Sequence, residues 1–141
     1  MAPVVLIADS DRVLCTLYER FLSRNGWQVR TSGAGLACLA QMRQAAPRVL
    51  ILDLHLPWGG ADGLLAVMRD DPRLAHVPVI LTSTDTCAQT YSDVVLPPVV
   101  QVLRKPFSLT VLLELMCSEM GNEQLLVRTR SEELASPSLS S

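Results

Sequence analysis

The sequence predicts an α/β fold: a five-stranded parallel sheet, doubly wound, with helices on both faces. Short apolar runs alternate strictly with stretches in which apolar residues recur at the spacing of a helix face. Two of the runs, VVLIA and VLIL, are continuous, which is typical of parallel strands buried on both faces. Strict alternation with short connections places helices on both sides of one sheet.

The predicted strands are short apolar runs, most of which end at a polar residue. They occupy residues 4–8, 27–31, 49–52, 77–81 and 99–103. The second run, WQVRT, alternates between apolar and polar residues, which indicates one wetter face. We therefore expect this strand at an edge of the sheet.

The predicted helices lie between the strands and after the last one. The expected segments are residues 13–22, 36–45, 62–69, 85–93 and 109–116. Gly26 is a plausible stop for the first helix, since glycine is favoured just beyond helix ends. Asp62 and Ser108 are of the residue types that cap helix N-termini, so each is expected to begin a helix.

Composition predicts one cytoplasmic domain of ordinary size. The chain has 141 residues, of which 49% are hydrophobic and 18% charged, enough for one core. A net charge of −2 gives no electrostatic basis for a nucleic acid or membrane partner. The four cysteines form no CxxC pair and are expected to be buried and reduced. The sequence contains no apolar run long enough to span a membrane.

The chain is expected to consist of a domain and a tail. Residues 1–120 carry the predicted strands and helices. Residues 121–141 turn polar and serine-rich, as in RTRSEELASPSLSS. This composition predicts a segment that is disordered or partly helical, or the start of a linker.

Polar residues follow the predicted strands where ligands bind in such sheets. Asp9 and Ser10 follow the first strand, Asp53 the third, Thr82 the fourth, and Lys105 lies just beyond the fifth. The carboxyl ends of parallel strands meet at one edge, and ligands bind there at the switch point in strand order. We expect these side chains to lie close together.

Such a cluster has the chemistry of a phosphate or metal site. Two neighbouring acids repel each other, and a cation or a lysine relieves the repulsion. Carboxylate oxygens suit Mg²⁺, a lysine and a hydroxyl can bind a phosphate, and a carboxylate beside them can act as a nucleophile. Acids and lysines are also common on the solvated rim of any α/β sheet. The residues alone leave both alternatives open.

Four motifs around the cluster give the chain a resemblance to a known family. IADSD, LDLHLP, ILTS and LRKPF, in this order and spacing, resemble the receiver domain of two-component response regulators, the CheY-like family. The resemblance covers residues 3 to 119 and implies the flavodoxin-like (βα)5 fold. It implies no enzyme beyond self-phosphorylation and autodephosphorylation. The implied partners are a histidine kinase or phosphotransfer protein, and a downstream protein at the face from Asp85 to Lys105, with a homodimer as a further option.

The resemblance also implies a role for each rim residue. Asp53 matches the phosphoacceptor, and Lys105 the lysine that pairs with it and then with the phosphate. Thr82 matches the hydroxyl residue that binds the phosphoryl group. Asp9 matches the first acid of the metal pair, and the backbone carbonyl of His55 matches a Mg²⁺ ligand. The peptide bond between Lys105 and Pro106 is expected to be cis, as in the family.

The most important departure from the family pattern is Ser10. It stands where the family has its second metal-binding acid, so the site loses one negative charge. Ser10 could still hold Mg²⁺ through a water, and we expect Mg²⁺ to bind more weakly than usual. Asp11 is expected to cap the following helix; reaching round to replace the missing acid is the alternative.

Three further departures concern signalling. Val102 stands where the family often has a switching aromatic residue, and valine cannot swing in that way. The loop at residues 57–63 is longer than usual and carries Trp58, either a partner contact or a residue packed over the site. An apolar, proline-rich segment at residues 96–99 suggests protein binding or simply a rigid loop.

Two functions therefore compete. Intact Asp53, Thr82 and Lys105 favour a phosphoacceptor receiver. Ser10 and Val102 favour a pseudo-receiver, a phosphorylation-independent protein-interaction module. A small-molecule-binding domain of the same fold is disfavoured because no glycine-rich phosphate loop follows the first strand.

Overall fold

The computed structural model describes residues 2–57, 60–85 and 95–121. The chain divides into two compact units, residues 1–106 and 107–141, and each is described by itself. Four predictions lie outside the described residues: the placement of Trp58, most of the helix at residues 85–93, the burial of Cys87, and the tail beyond residue 121.

The first unit is built on the predicted five-stranded parallel sheet. Its strands are β1 (Val4–Ala8), β2 (Gln28–Ser32), β3 (Val49–Asp53), β4 (Val79–Ser83) and β5 (Val99–Arg104). Their order is β2-β1-β3-β4-β5, and every neighbouring pair is parallel. The prediction of the fold class is confirmed, and β2 lies at an edge of the sheet as expected.

Three helices are described in the first unit and one in the second. They are α1 (Arg12–Arg24), α2 (Gly35–Gln44), α3 (Gly60–Asp70) and, in the second unit, α4 (Leu109–Glu119). No helix among the described residues is long and apolar enough to cross a membrane.

Two predicted starts are wrong by two residues, those of α3 and β4. Asp62 does not begin α3, because the helix already starts at Gly60 and Asp62 lies in its first turn. β4 starts later than predicted and continues through Thr82 and Ser83, since both residues still pair with β5. Thr82 and Ser83, the polar residues at the end of β4, are therefore held by their pairing with β5.

Both faces of the sheet are buried. On one face, side chains such as Leu50, Leu52 and Leu81 form a core cluster with Met42 of α2 and Leu65 of α3. Alternation along the strands turns the intervening residues to the opposite face. These residues are fully or almost fully buried: Val5, Ile7, Val49, Ile51 and Ile80. The buried residues of α1 are Cys15, Tyr18 and Leu22.

The ends of α1 and α4 follow the caps expected from sequence. The Asp11 side chain accepts a hydrogen bond from the backbone N–H of Leu14 and so caps α1. Beyond the helix, Gly26 adopts a φ of 91°, a conformation that few other residues tolerate. Ser108 caps α4 by accepting from the N–H of Thr110.

Candidate functional site

The carboxyl ends of four neighbouring strands, β1, β3, β4 and β5, bring the predicted site residues to one rim. β1 pairs with β3, and β3 pairs with β4 so that Asp53 and Thr82 are register partners. Lys105 directly follows β5, which pairs with β4. Asp9, directly after β1, shares Lys105 with Asp53, so the expected cluster is assembled.

Asp9 is a buried carboxylate with partners on both oxygens. The residue is 4% exposed. Its Oδ1 accepts from the backbone N–H of Asp11 at 2.9 Å, and its Oδ2 accepts from Lys105 Nζ at 2.8 Å. Because a buried charge is tolerated only when it is paired, Lys105 is the cation that permits an acid at this position.

Asp53 is held less tightly than Asp9. Its Oδ1 accepts from the backbone N–H of His55 at 3.3 Å, and its Oδ2 lies 3.8 Å from Lys105 Nζ, an ion pair longer than a hydrogen bond. Its side chain is 13% exposed. One oxygen of Asp53 is therefore oriented by the backbone, and the other faces the lysine.

The side-chain hydroxyl of Thr82 is buried and lacks a hydrogen-bond partner among the described residues. The residue is fully buried, and its Oγ1 has no hydrogen-bond partner within the described parts of the chain. Its backbone carbonyl, by contrast, accepts from the N–H of Leu54. An unsatisfied buried hydroxyl costs free energy, so it marks a position where a ligand oxygen can supply the missing bond.

Lys105 is positioned by its backbone as well as by its charge. Its N–H donates to the carbonyl of Ser83 at 2.8 Å, and the bond to Pro106 is cis, as predicted. Its side chain is only 17% exposed. The ammonium group is thus held between the two acids.

The rim supplies fewer oxygen ligands for a metal than a site with three acids would. Ser10 is exposed, and Asp11 is engaged as the cap of α1. Among the described residues, no group of three or more histidine, cysteine, aspartate or glutamate side chains could hold a metal ion. Asp9 and Asp53 still supply two carboxylates, ligands of the kind that Mg²⁺ takes together with water or phosphate.

Val102 belongs to the core. It is partly buried and packs against the core cluster on the sheet face that α2 and α3 cover. A valine so placed has one stiff χ1 and no ring to rotate. The expectation that it cannot act as an aromatic switch therefore rests on its packing as well as on its type.

The side-chain contact between His55 and Asp85 was not predicted from the sequence. The His55 ring Nε2 lies 2.9 Å from Asp85 Oδ2, and the backbone N–H of Asp85 donates to Ser83 Oγ at 2.9 Å. Thirty positions separate the two residues in sequence. The register of Asp53 with Thr82 could have indicated that the turns after β3 and β4 are adjacent, but not which side chains meet.

A separate cleft of about 430 Å³ opens beside the acids. Its lining includes Asp9, Ser10, Arg12, Cys15 and Glu19 but not Asp53. Burial, and secondly the Asp9 carboxylate, raise the pKa of Cys15 to about 11, so this thiol is not a nucleophile. Asp53, Thr82 and Lys105 do not line this cleft.

Comparison with known proteins gives the family. The response regulator receiver domain matches residues 5–116. The chain belongs to this family of two-component signalling domains, whose members generally act as phosphoacceptors.

Two curated relatives illustrate the similarity. The probable transcriptional regulatory protein TcrX of Mycobacterium tuberculosis is 35% identical over 78 residues, which cover 55% of this chain and 32% of TcrX. The polar-differentiation response regulator DivK of Brucella ovis is 25% identical over 80 residues, covering 57% of this chain and 65% of DivK. The chain thus spans less than two thirds of the length of either relative.

Solved structures share the fold. A putative response regulator from Chloroflexus aurantiacus has a TM-score of 0.77 at 22% identity and covers 86% of this chain and 100% of its own. The receiver domain of the sensor histidine kinase PA1611 from Pseudomonas aeruginosa, with a magnesium ion in its active site cleft, has a TM-score of 0.79 at 17% identity. That match covers 86% of this chain and 100% of the PA1611 chain.

Proposed function

We propose that this chain is a phosphoacceptor receiver in which Asp53 takes a phosphoryl group from a phosphohistidine of a histidine kinase or phosphotransfer protein. One observation carries the proposal. The unsatisfied Oγ1 of buried Thr82 lies on the strand next to Asp53, in register with it, while Lys105 lies 3.8 Å from the carboxylate. A phosphoryl group on Asp53 would supply the acceptor that the hydroxyl lacks.

The transfer needs only the residues of the rim and the donor. An oxygen of Asp53 attacks phosphorus, an O–P bond forms and the P–N bond breaks. The donor nitrogen leaves with the electron pair and takes up a proton, and the product is an acyl phosphate. Lys105 offsets the developing negative charge, and Thr82 donates its hydroxyl hydrogen bond to a phosphoryl oxygen.

Mg²⁺ would be held by Asp9, Asp53 and the carbonyl of His55, with Ser10 contributing through a water. When bound, the ion would neutralise charge on the phosphoryl oxygens. We infer weaker binding than in relatives with two adjacent acids, because Ser10 carries no charge and Lys105 already pairs with Asp9 at 2.8 Å.

The partner surface is proposed to be the face from Asp85 to Lys105. Within it, Val95 is 41%, Leu96 53% and Val100 42% exposed. Exposed apolar side chains in this segment favour a protein partner or a second copy of the chain. The domain is proposed to act in the cytoplasm, where ATP supplies the phosphodonor, with residues 121–141 as a tail or linker.

Two observations favour the second candidate, a pseudo-receiver. Ser10 leaves the metal position one acid short, and Val102 is fixed in the core. Such a domain would bind its partner through the same face without accepting phosphate.

Intact mass distinguishes the two functions. The chain is incubated with acetyl phosphate over a range of Mg²⁺ concentrations, with Asp53→Asn as the matched control. One added phosphate on the wild-type chain and none on the control is the expected result. No adduct at any Mg²⁺ concentration, and none from a phosphorylated kinase, would replace the receiver with the pseudo-receiver.

A further inference from the structure

The cleft beside Asp9 is bounded by one face of α1 and by the end of β2. Its volume of about 430 Å³ lies within the range of roughly 300–1,000 Å³ that is typical of small-ligand sites. From α1 it is lined at the i, i+3, i+4 and i+7 spacing of a single helix face, by Arg12, Cys15, Thr16 and Glu19. Residues 31–33 line it from β2 and the turn that follows. Because most of these side chains are polar, the cleft suits a polar ligand.

Several polar groups of the lining already have partners within the protein. Asp9 accepts hydrogen bonds on both carboxylate oxygens, one of them from Lys105 at 2.8 Å. The Thr16 hydroxyl donates to a carbonyl of its own helix, and the Ser32 hydroxyl donates to the backbone carbonyl two positions on. These groups shape the cleft, and their main hydrogen-bonding capacity is used inside the fold.

The two remaining charges of the lining, on Arg12 and Glu19, are unpaired. Neither side chain forms an ion pair with any residue in the ranges 2–57, 60–85 and 95–121. Arg12 is the first residue of α1, where the positive end of the helix dipole disfavours a cation. Its charge therefore does not stabilise the helix that carries it, and it is available to a ligand.

We propose that the cleft binds a small zwitterion, whose carboxylate pairs with Arg12 and whose ammonium group pairs with Glu19. A guanidinium group can donate two parallel hydrogen bonds to one carboxylate. Since Lys105 already offsets the charge of Asp9, the charges of Arg12 and Glu19 balance each other. A ligand with a single charge would satisfy one of them and leave the other unpaired. The inference does not depend on the proposed phosphoacceptor function, because Asp53 does not line the cleft.

The distance between the two charged residues selects the kind of zwitterion. At a rise of about 1.5 Å per residue, the i, i+7 spacing of Arg12 and Glu19 separates their backbones by about 10 Å along α1. The two charges of an α-amino acid are adjacent, so such a molecule meets one residue and falls short of the other. A zwitterion with several atoms between its charges, such as an ω-amino acid or a dipeptide, spans the pair.

Ser10 fits this balance of charges. It is exposed, lines the cleft and is neutral, and it lies two positions before Arg12. An acid at this position would add a negative charge and compete with the ligand's carboxylate for Arg12. The serine leaves the guanidinium group to the ligand and adds a hydroxyl that can donate a hydrogen bond.

Amide chemical shifts recorded by NMR during titration of the full chain at neutral pH test the site. The probes are glycine, γ-aminobutyrate and ε-aminocaproate, three zwitterions of increasing charge separation, with butyrate and butylammonium as singly charged controls. The two longer zwitterions should give saturable shifts at the amides of Thr16, Thr31 and Gly33. Glycine and the singly charged probes should bind about fivefold more weakly, the factor for losing one partly exposed ion pair.

Charge substitutions identify the two groups that bind. Arg12→Gln and Glu19→Gln should each weaken the binding of γ-aminobutyrate about fivefold. The double variant Arg12→Glu with Glu19→Arg should recover affinity, because the ligand can then bind in the reverse direction. Arg24→Gln, a matched change at an exposed position of α1 outside the cleft, should bind as wild type. The dispersion of the same spectra shows that each variant is folded.

Three results would overturn the proposal. The first is the absence of saturable shifts at the cleft amides with every zwitterion. The second is equal binding of butyrate or butylammonium and the longer zwitterions, which would show that a single charge is sufficient. The third is unchanged affinity in both glutamine variants, or no recovery in the exchanged double variant.

Discussion

Lys105 donates a hydrogen bond from Nζ to Asp9 at 2.8 Å but lies 3.8 Å from Asp53. The lysine therefore pairs more closely with Asp9 than with Asp53, the proposed phosphoacceptor. This arrangement offsets the charge of an almost fully buried carboxylate. It also leaves the reactive oxygen of Asp53 without a hydrogen-bond donor from Lys105.

Removing Lys105 should show how much the stability of the protein depends on the ion pair with buried Asp9. Lys105→Met is expected to lower the free energy of unfolding by about 3 kcal/mol, because the Asp9 charge stays buried without its cation. Urea denaturation measures the change. Adding Asp9→Asn to this variant should restore most of the loss, and Arg43→Met, which removes an exposed partner of Asp71 at 3.9 Å, should have a much smaller effect. An unaffected Lys105→Met protein would show that Asp9 is satisfied in another way.

Restoring the missing acid should strengthen metal binding. For Ser10→Asp, we expect the Mg²⁺ concentration for half-maximal phosphorylation by acetyl phosphate to fall about tenfold, since affinity rises with ligand charge. Ser10→Asn, which adds bulk and polarity without charge, is the control. Equal Mg²⁺ dependence in all three proteins would mean that the residue at position 10 does not contribute to the metal site.

The buried hydroxyl of Thr82 should cost stability in the resting protein. Thr82→Val keeps the shape and removes the unsatisfied oxygen, so the free energy of unfolding should rise by about 1 kcal/mol. Thr16→Val is the comparison, because the Thr16 hydroxyl already donates to the carbonyl of Arg12 and its removal should not stabilise. A destabilised Thr82→Val protein would show that the hydroxyl has a partner before phosphorylation.

Sequence was sufficient for the architecture because the strands carry their own signal. Continuous runs such as Val49–Asp53 occur where both sheet faces are buried, and β2, with its wetter face, lies at the edge. The rim could be predicted for the same reason, since residues after parallel strands meet at one edge. Asp11 as the cap of α1 followed from its residue type and position.

Side-chain partners could not be predicted in this way. Which acid Lys105 contacts more closely depends on rotamers and on tenths of an ångström, and periodicity carries no such information. The contact of His55 with Asp85 joins two turns, whose conformations follow from their local backbone. The start of α3 at Gly60 was missed because Asp62 is also favourable inside a first helical turn, where a carboxylate meets the helix dipole.

The thiol of Cys15 gives a prediction about pH. Burial, followed by the Asp9 carboxylate, raises its pKa from an ordinary 9.0 to about 11. A group whose pKa is raised on folding favours the folded state below its unfolded pKa, and that contribution is lost as pH rises towards the folded value. Iodoacetamide should therefore label Cys15 slowly at pH 8, with a rate that rises towards pH 11, and stability should fall from about pH 9 upwards.

Peptide mapping measures the rate at which Cys15 is labelled, which depends on its burial and on its raised pKa. Labelling of Cys15 is followed in the folded chain and in urea, with Cys38, whose pKa burial raises to about 12, as the internal reference. Cys15 should react fast only in urea. Fast labelling at pH 8 in the folded protein would contradict the burial of this thiol beside Asp9.

The central claim is that Asp53 carries the phosphate, and locating the modified residue tests it most directly. After incubation with acetyl phosphate and Mg²⁺, borohydride reduces an acyl phosphate to the alcohol, so a phosphorylated aspartate is found as homoserine by peptide mass spectrometry. The account predicts homoserine at Asp53 and aspartate at Asp9 and Asp11. Homoserine at either of those acids, or at no position, would contradict it.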